Sequence, residues 1–175
     1  ENSMNWNDSG VLDRNKKMTP LLKIELIAVG TKPPAWIIAG IEQYADRLKR
    51  QCSFIITEIK SAERRKKHVE SLREEEGKAI LSALSSSAVV VAMDRLGKNW
   101  STEEFAGKLQ VWSQKTNHFQ FLVGGPDGLT NACLERAQES WSLSALTFPH
   151  FLVRVLFAEQ VYRALMVNEG HPYHK

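Results

Sequence analysis

A chain of 175 residues, 43% hydrophobic and 25% charged, is long enough for one globular domain with a core of its own. A net charge of +3 permits a nucleic-acid partner without demanding one. Two lone cysteines, Cys52 and Cys133, exclude a disulfide scaffold and a CxxC-type zinc site, and no apolar run is long enough to span a bilayer; the reading is a soluble, cytoplasmic protein.

Residues 1–20, ENSMNWNDSGVLDRNKKMTP, are polar and aperiodic. They are expected to be a leader or an expression remnant, with Met18 as the natural start, and residues 21–175 to form a single domain. KIELIAVG reads as a strand and PPAWIIAGIEQYADRLKR as a helix opened by prolines in its first turn. CSFIITEI alternates like a second strand. KSAERRKKH, residues 60–68, is a basic run that serves as a solvated face or as a phosphate contact. In HVESLREEEGKAILSAL the residues Val69, Leu72, Ile80, Leu81 and Leu84 recur at helical spacing, interrupted by Gly77.

SAVVVAMD is apolar without alternation, which predicts a central parallel strand covered on both faces. STEEFAGKLQVWSQKT opens with a capping box, Ser101 with Glu104, and sets Phe105, Leu109 and Trp112 on one side of a helix. HFQFLVGG is a fourth strand, followed by a short helix from about Thr130 to Glu139, WSLSALTF as a fifth strand, and a long helix from about His150 to Val167. Strands alternating with helices predict an α/β fold with a mostly parallel sheet. The last helix carries Phe151, Leu152, Val153, Val155, Leu156, Phe157, Val161 and Leu165 in nearly every direction, so a second copy of the chain is expected to cover it, giving a homodimer.

Candidate chemistry gathers at three places. FLVGGPDGL, residues 121–129, is a strand entering a glycine-rich turn, and ligands bind at the carboxyl ends of parallel strands. No Walker lysine follows and GGPDG is not GxGxxG, which disfavours a nucleoside triphosphate or a standard nicotinamide site. SWSLSALTFPH, residues 140–150, ends at a proline just before His150, with Arg154 on the same helix face; taken singly, the first reads as a helix cap and the second as a surface charge. Glu159 and Arg163 form an i,i+4 pair on the opposite side. HPYHK closes the chain with two of its five histidines, and no further cluster at ligand spacing joins them, so no metal site is read there.

In this order and spacing, LVGGPDGL, SWSLSALTFPHFLVRVLFAEQVYRA and HPYHK resemble the RlmH family of SPOUT methyltransferases, which methylate a pseudouridine in 23S ribosomal RNA. The likeness covers Leu22 to Lys175 and opens with IELIAVGTKPPAW. It implies an α/β SPOUT fold with helices on both faces of the sheet and a C-terminal trefoil knot, an exception to the rule that chains do not thread loops. It further implies a homodimer with S-adenosylmethionine bound by Met93, by Leu122, Gly124 and Gly125, and by Ser144, Ala145, Leu146, Thr147, Phe148 and Pro149, largely through backbone.

The implied reaction is attack of the pseudouridine ring nitrogen-3 on the sulfonium methyl, and an imide nitrogen must first share or lose its proton. His150, Arg154, Tyr173, His174 and Lys175 are the candidates for that work, with the choice of base left open. The tail would fold over the partner subunit's pocket. Lys175 stands where the family usually has arginine, which keeps the charge and loses the bidentate fork. The expected substrate is 23S rRNA in the assembled ribosome. Rival readings are a knotted methyltransferase acting on tRNA, a ribosome-associated binding protein without catalysis, and a thiol or serine hydrolase, for which no GxSxG elbow exists.

Overall fold

The structure, a computed structural model, describes residues 21–63 and 68–170. Five strands, β1 (Leu22–Val29), β2 (Cys52–Ile59), β3 (Val89–Asn99), β4 (His118–Val123) and β5 (Glu139–Ser142), form one sheet in the order β2-β1-β4-β3-β5. Every pairing is parallel. Between the strands run α1 (Ala35–Leu48), α2 (Val69–Ser82), α3 (Thr102–Ser113) and α4 (Asn131–Arg136), and α5 (His150–Asn168) closes the described chain. The strand SAVVVAMD is interior, but the middle place belongs to β4.

Strand periodicity explains the two-sided core. Along β1, Ile24, Leu26 and Ala28 join Phe119, Phe121 and Val123 of β4 in a cluster with Leu48, Phe105, Leu109, Phe157 and Val161 from α1, α3 and α5. The alternate residues, Ile27 and Val29 with Val90, Ala92 and Leu122, meet Ile80 of α2 and Cys133 of α4 on the other face. Both faces are therefore covered by helices, as the near-continuous apolar strands require. The Ser101 cap forms as its sequence predicts: Glu104 N–H donates to Ser101 Oγ at 3.1 Å and Ser101 N–H to Glu104 Oε2 at 2.7 Å.

A buried carboxylate sits inside this sheet. The Glu25 carboxylate accepts hydrogen bonds from Thr57 Oγ1 at 2.6 Å and Gln120 Nε2 at 2.9 Å, with His118 Nε2 at 3.1 Å. Burial pushes its pKa up, but those three partners, with Lys23, outweigh burial and hold the carboxyl below its ordinary 4.5. A lowered native pKa means that Glu25 stabilises the fold above that ordinary value and loses this contribution as pH falls through the native one. Urea unfolding midpoints should accordingly drop as pH is lowered from about 6 toward 3, with a shallower drop in Glu25→Gln; an identical pH dependence in both proteins would contradict this role.

Candidate functional site

At the carboxyl ends of β3, β4 and β5 opens a cavity of about 790 Å³, a size that suits a small organic ligand. Three chain segments wall it, 93–96, 123–129 and 141–150 without residue 145, joined by Arg73 of α2 and Val153 of α5.

The glycines of the second segment are required first by the turn itself. A Cβ on Gly124 would lie 2.6 Å from the carbonyl carbon of Gly128, and one on Gly125 would lie 2.7 Å from Glu76 Oε2. Gly128, at φ +79, donates its N–H to Gly125 O at 3.0 Å and closes the turn. Behind the turn, the buried Glu76 accepts from Ala62 N–H at 3.0 Å.

The third segment departs from the expected strand. WSLSALTF pairs only as far as Ser142, because serine side chains bond locally and divert the backbone from the ladder: Ser142 Oγ donates to Ser144 O at 3.0 Å, and Leu146 N–H donates to Ser144 Oγ at 3.0 Å. Residues 143–149 thus become an irregular strap along the cavity wall. The short helix is likewise briefer than expected, Asn131–Arg136, since β5 already begins at Glu139.

Where the strap meets α5, His150 and Arg154 do unequal work. His150 occupies the first helical position without capping it, and its Nε2 lies 3.1 Å from where a Cβ on Gly30 would stand. Burial, reinforced by the Arg154 cation, holds its pKa below the usual 6.5 against the opposing pull of Glu76. Arg154 is no surface charge, since only 1% of it is exposed. Its Nη1 donates to Glu58 Oε1 at 2.7 Å, and its Nη2 donates to Gly30 O at 2.7 Å and Val29 O at 3.3 Å. The guanidinium also lies 4.7 Å over the Phe151 ring.

Of the residues singled out in the sequence, Met93, Gly124, Gly125, Ser144, Leu146, Thr147, Phe148, Pro149 and His150 all line this one cavity. Leu122 lies in the core beneath it, and neither Ala145 nor Arg154 reaches its wall. Tyr173, His174 and Lys175 lie outside the described residues, as does 64–67 of the basic run. Sequence reasoning missed Arg73, which no local pattern links to the glycine turn, and the rim residues Arg95 and Leu96, which follow a register shift. Cys52 and Cys133 are buried and neither lines the cavity, and burial pushes the Cys52 thiol up to about 12. Among the described residues no group of three or more His, Cys, Asp or Glu is placed to hold a metal, and no helix is long and apolar enough to cross a membrane.

The family model described as "Predicted SPOUT methyltransferase" matches residues 22–174. Curated relatives carry the name "Ribosomal RNA large subunit methyltransferase H". The chain is 47% identical to the one from Nitrosococcus oceani over 155 residues, 88% of this chain and 99% of that protein. It is 44% identical to that of Methylococcus capsulatus and 46% identical to that of Thioalkalivibrio sulfidiphilus, again over 88% of this chain and at least 99% of each relative. The chain belongs to the SPOUT methyltransferase family.

Replacing Arg154 by leucine would leave two buried carbonyls without their donor and Glu58 without its partner, so Arg154→Leu should cost on the order of 3 kcal/mol in urea unfolding. Glu58 stays partly in water, which limits the loss. A variant as stable as the parent would contradict this bonding.

Proposed function

We propose that this protein is a cytoplasmic S-adenosylmethionine-dependent methyltransferase that modifies nitrogen-3 of a pseudouridine in 23S rRNA within the assembled ribosome. The observation that carries the reading is the convergence of Met93, the 123–129 turn and the 144–149 strap on one cavity, in a chain so similar to large-subunit rRNA methyltransferases. The cavity suits the cofactor: it is large enough, and its turn and strap offer backbone amides and carbonyls beside Val123, Leu143 and Phe148. When bound, the cofactor supplies an electrophilic sulfonium methyl; the protein must hold the acceptor nitrogen in line and take its proton.

His150 is suited to the proton. Its lowered pKa keeps the imidazole neutral at physiological pH, and it lies on the cavity wall. Arg154 acts as a positioning residue, tying the start of α5 to the ends of β1 and β2 so that His150 keeps its place. The closing residues Tyr173, His174 and Lys175 would supply further recognition and charge, with Lys175 opposing negative charge on the imide or a phosphate.

Chain length favours the partner's pocket over their own. From His150 to Gly170 the chain climbs roughly 30 Å along α5, while five further residues reach at most ~18 Å when fully extended. On that reading the tail of one chain would complete the partner's cavity in a homodimer. A dimer is supported independently by the apolar surface beside the α1–α5 contact, where Gly40 packs on Val155. Trp36, one turn before Gly40, is 63% exposed, and Phe151, Leu152 and Leu156 are only half-buried. The single domain from residue 21 onward would carry the family's trefoil knot, with the strap leading α5 back against α1 and α3.

The test is methyl transfer from labelled S-adenosylmethionine to large subunits from cells that lack the modification. The full chain should transfer methyl, and a chain truncated after Gly170 should bind cofactor within about twofold yet lose at least ~100-fold in rate. Mixing the truncated chain with a Gly124→Val chain, whose turn is blocked but whose tail is intact, should restore activity through mixed dimers. Equal transfer by the full and truncated chains would refute the tail's role, and cofactor binding without transfer to any RNA would refute the activity.

A further inference from the structure

The rim of the cavity carries a built projection that the catalytic reading leaves unused. Trp141 of β5 pairs with both Met93 and Lys98 of β3, so residues 94–97 bulge out of the sheet at the cavity mouth. Two features fix the bulge. Asp94 Oδ1 accepts from Leu96 N–H at 2.7 Å, and Gly97 lies so close to the β5 backbone that a Cβ there would sit 2.7 Å from Trp141 N and from the carbonyl carbon of Ser140. The result displays Leu96 with 87% of its surface exposed, the most exposed large apolar side chain among the described residues. Beside it stands Arg95, exposed and without an ion pair among the described residues; Arg73 lines the same cavity from α2, with Nη2 3.7 Å from Glu70 Oε1 and a buried Nε that has no hydrogen-bond partner. Across the same cavity, Leu146 is 70% exposed.

We propose that the 94–97 bulge is a substrate-positioning wedge: Leu96 packs against the RNA base next to the target and holds the target nucleotide out of its stack, while Arg95 grips the adjacent phosphate. This rests on the rRNA methyltransferase reading above. The chemistry demands such a device, because ring nitrogen-3 lies on the pairing edge of the base and meets a methyl donor inside a cavity only after the nucleotide has left its stack. Apolar side chains inserted between base steps do this in other nucleic-acid proteins. The exposed Arg95 cation next to the leucine favours a polyanion at this rim, and phosphate contacts set register while the wedge sets the base. A fixed bulge lets the wedge arrive without ordering a loop, so little conformational entropy is lost on binding.

Leu96→Ala, Leu96→Met and Arg95→Ala would be compared with the parent for kcat and KM on large subunits, for cofactor affinity by calorimetry, and for oligomeric state by light scattering. Leu96→Ala should lower kcat about tenfold or more with cofactor affinity within about twofold, and Leu96→Met should recover most of that loss. Arg95→Ala should raise KM and reduce the salt dependence of KM by the equivalent of about one phosphate contact. Unchanged transfer by Leu96→Ala, a parallel loss of cofactor binding, or a shift to monomers, which would make the bulge a contact between copies of the chain, would each overturn the proposal. If the parent binds cofactor and methylates no RNA, the reading beneath it fails first.

Discussion

The Arg154 guanidinium is the interaction on which the site geometry depends. From α5 its nitrogens reach two places far apart in sequence, the carbonyls of Val29 and Gly30 at the end of β1 and the carboxylate of Glu58 near the end of β2, so three elements are tied together. A buried cation is costly unless its donors are satisfied, and here four of the five N–H groups belong to bonded nitrogens, with only Nε left alone. The cation therefore fixes where α5 begins. That start sets His150 over Gly30 and, through Pro149, fixes the far end of the strap that walls the cavity. The same charge helps keep the His150 imidazole neutral.

The cavity wall is built with little charge. Its turn needs glycine because backbone and Glu76 occupy the space of side chains, and its strap exists because serine hydroxyls satisfy backbone groups that a strand would have paired. The charged side chains in its lining are Arg73, Asp94, Arg95 and Asp127; Asp94 accepts from Leu96 N–H and Arg73 faces Glu70, which leaves Arg95 as the exposed cation at the mouth. This division matches the chemistry proposed for the protein: a small cofactor held by amides and apolar surface within, and a polyanion met at the mouth.

Much of this was legible from the residues. The strands KIELIAVG and HFQFLVGG, the Ser101 capping box and the order of strands and helices follow from local pattern and propensity, and all are present. The glycine turn, the strap and His150 were recognisable as neighbours because parallel sheets gather strand ends on one side. Three features were not legible. The early end of β5 turns on side-chain competition for the backbone, while apolar content alone favoured a longer strand. The burial of Arg154 depends on acceptors more than a hundred residues away on β1. The bulge at 94–97 needs a register shift between β3 and β5 that neither strand reveals by itself.

The measurement that bears most directly on this account is the identity of the methylated nucleoside. Large subunits lacking the modification would be incubated with the protein and methyl-labelled S-adenosylmethionine, beside bulk tRNA, and the digested nucleosides resolved by mass spectrometry. The account predicts label in a pseudouridine of 23S rRNA, with the methyl on nitrogen-3 and none in tRNA. Label on another base, label in tRNA, or cofactor binding with no methylated nucleoside would contradict it.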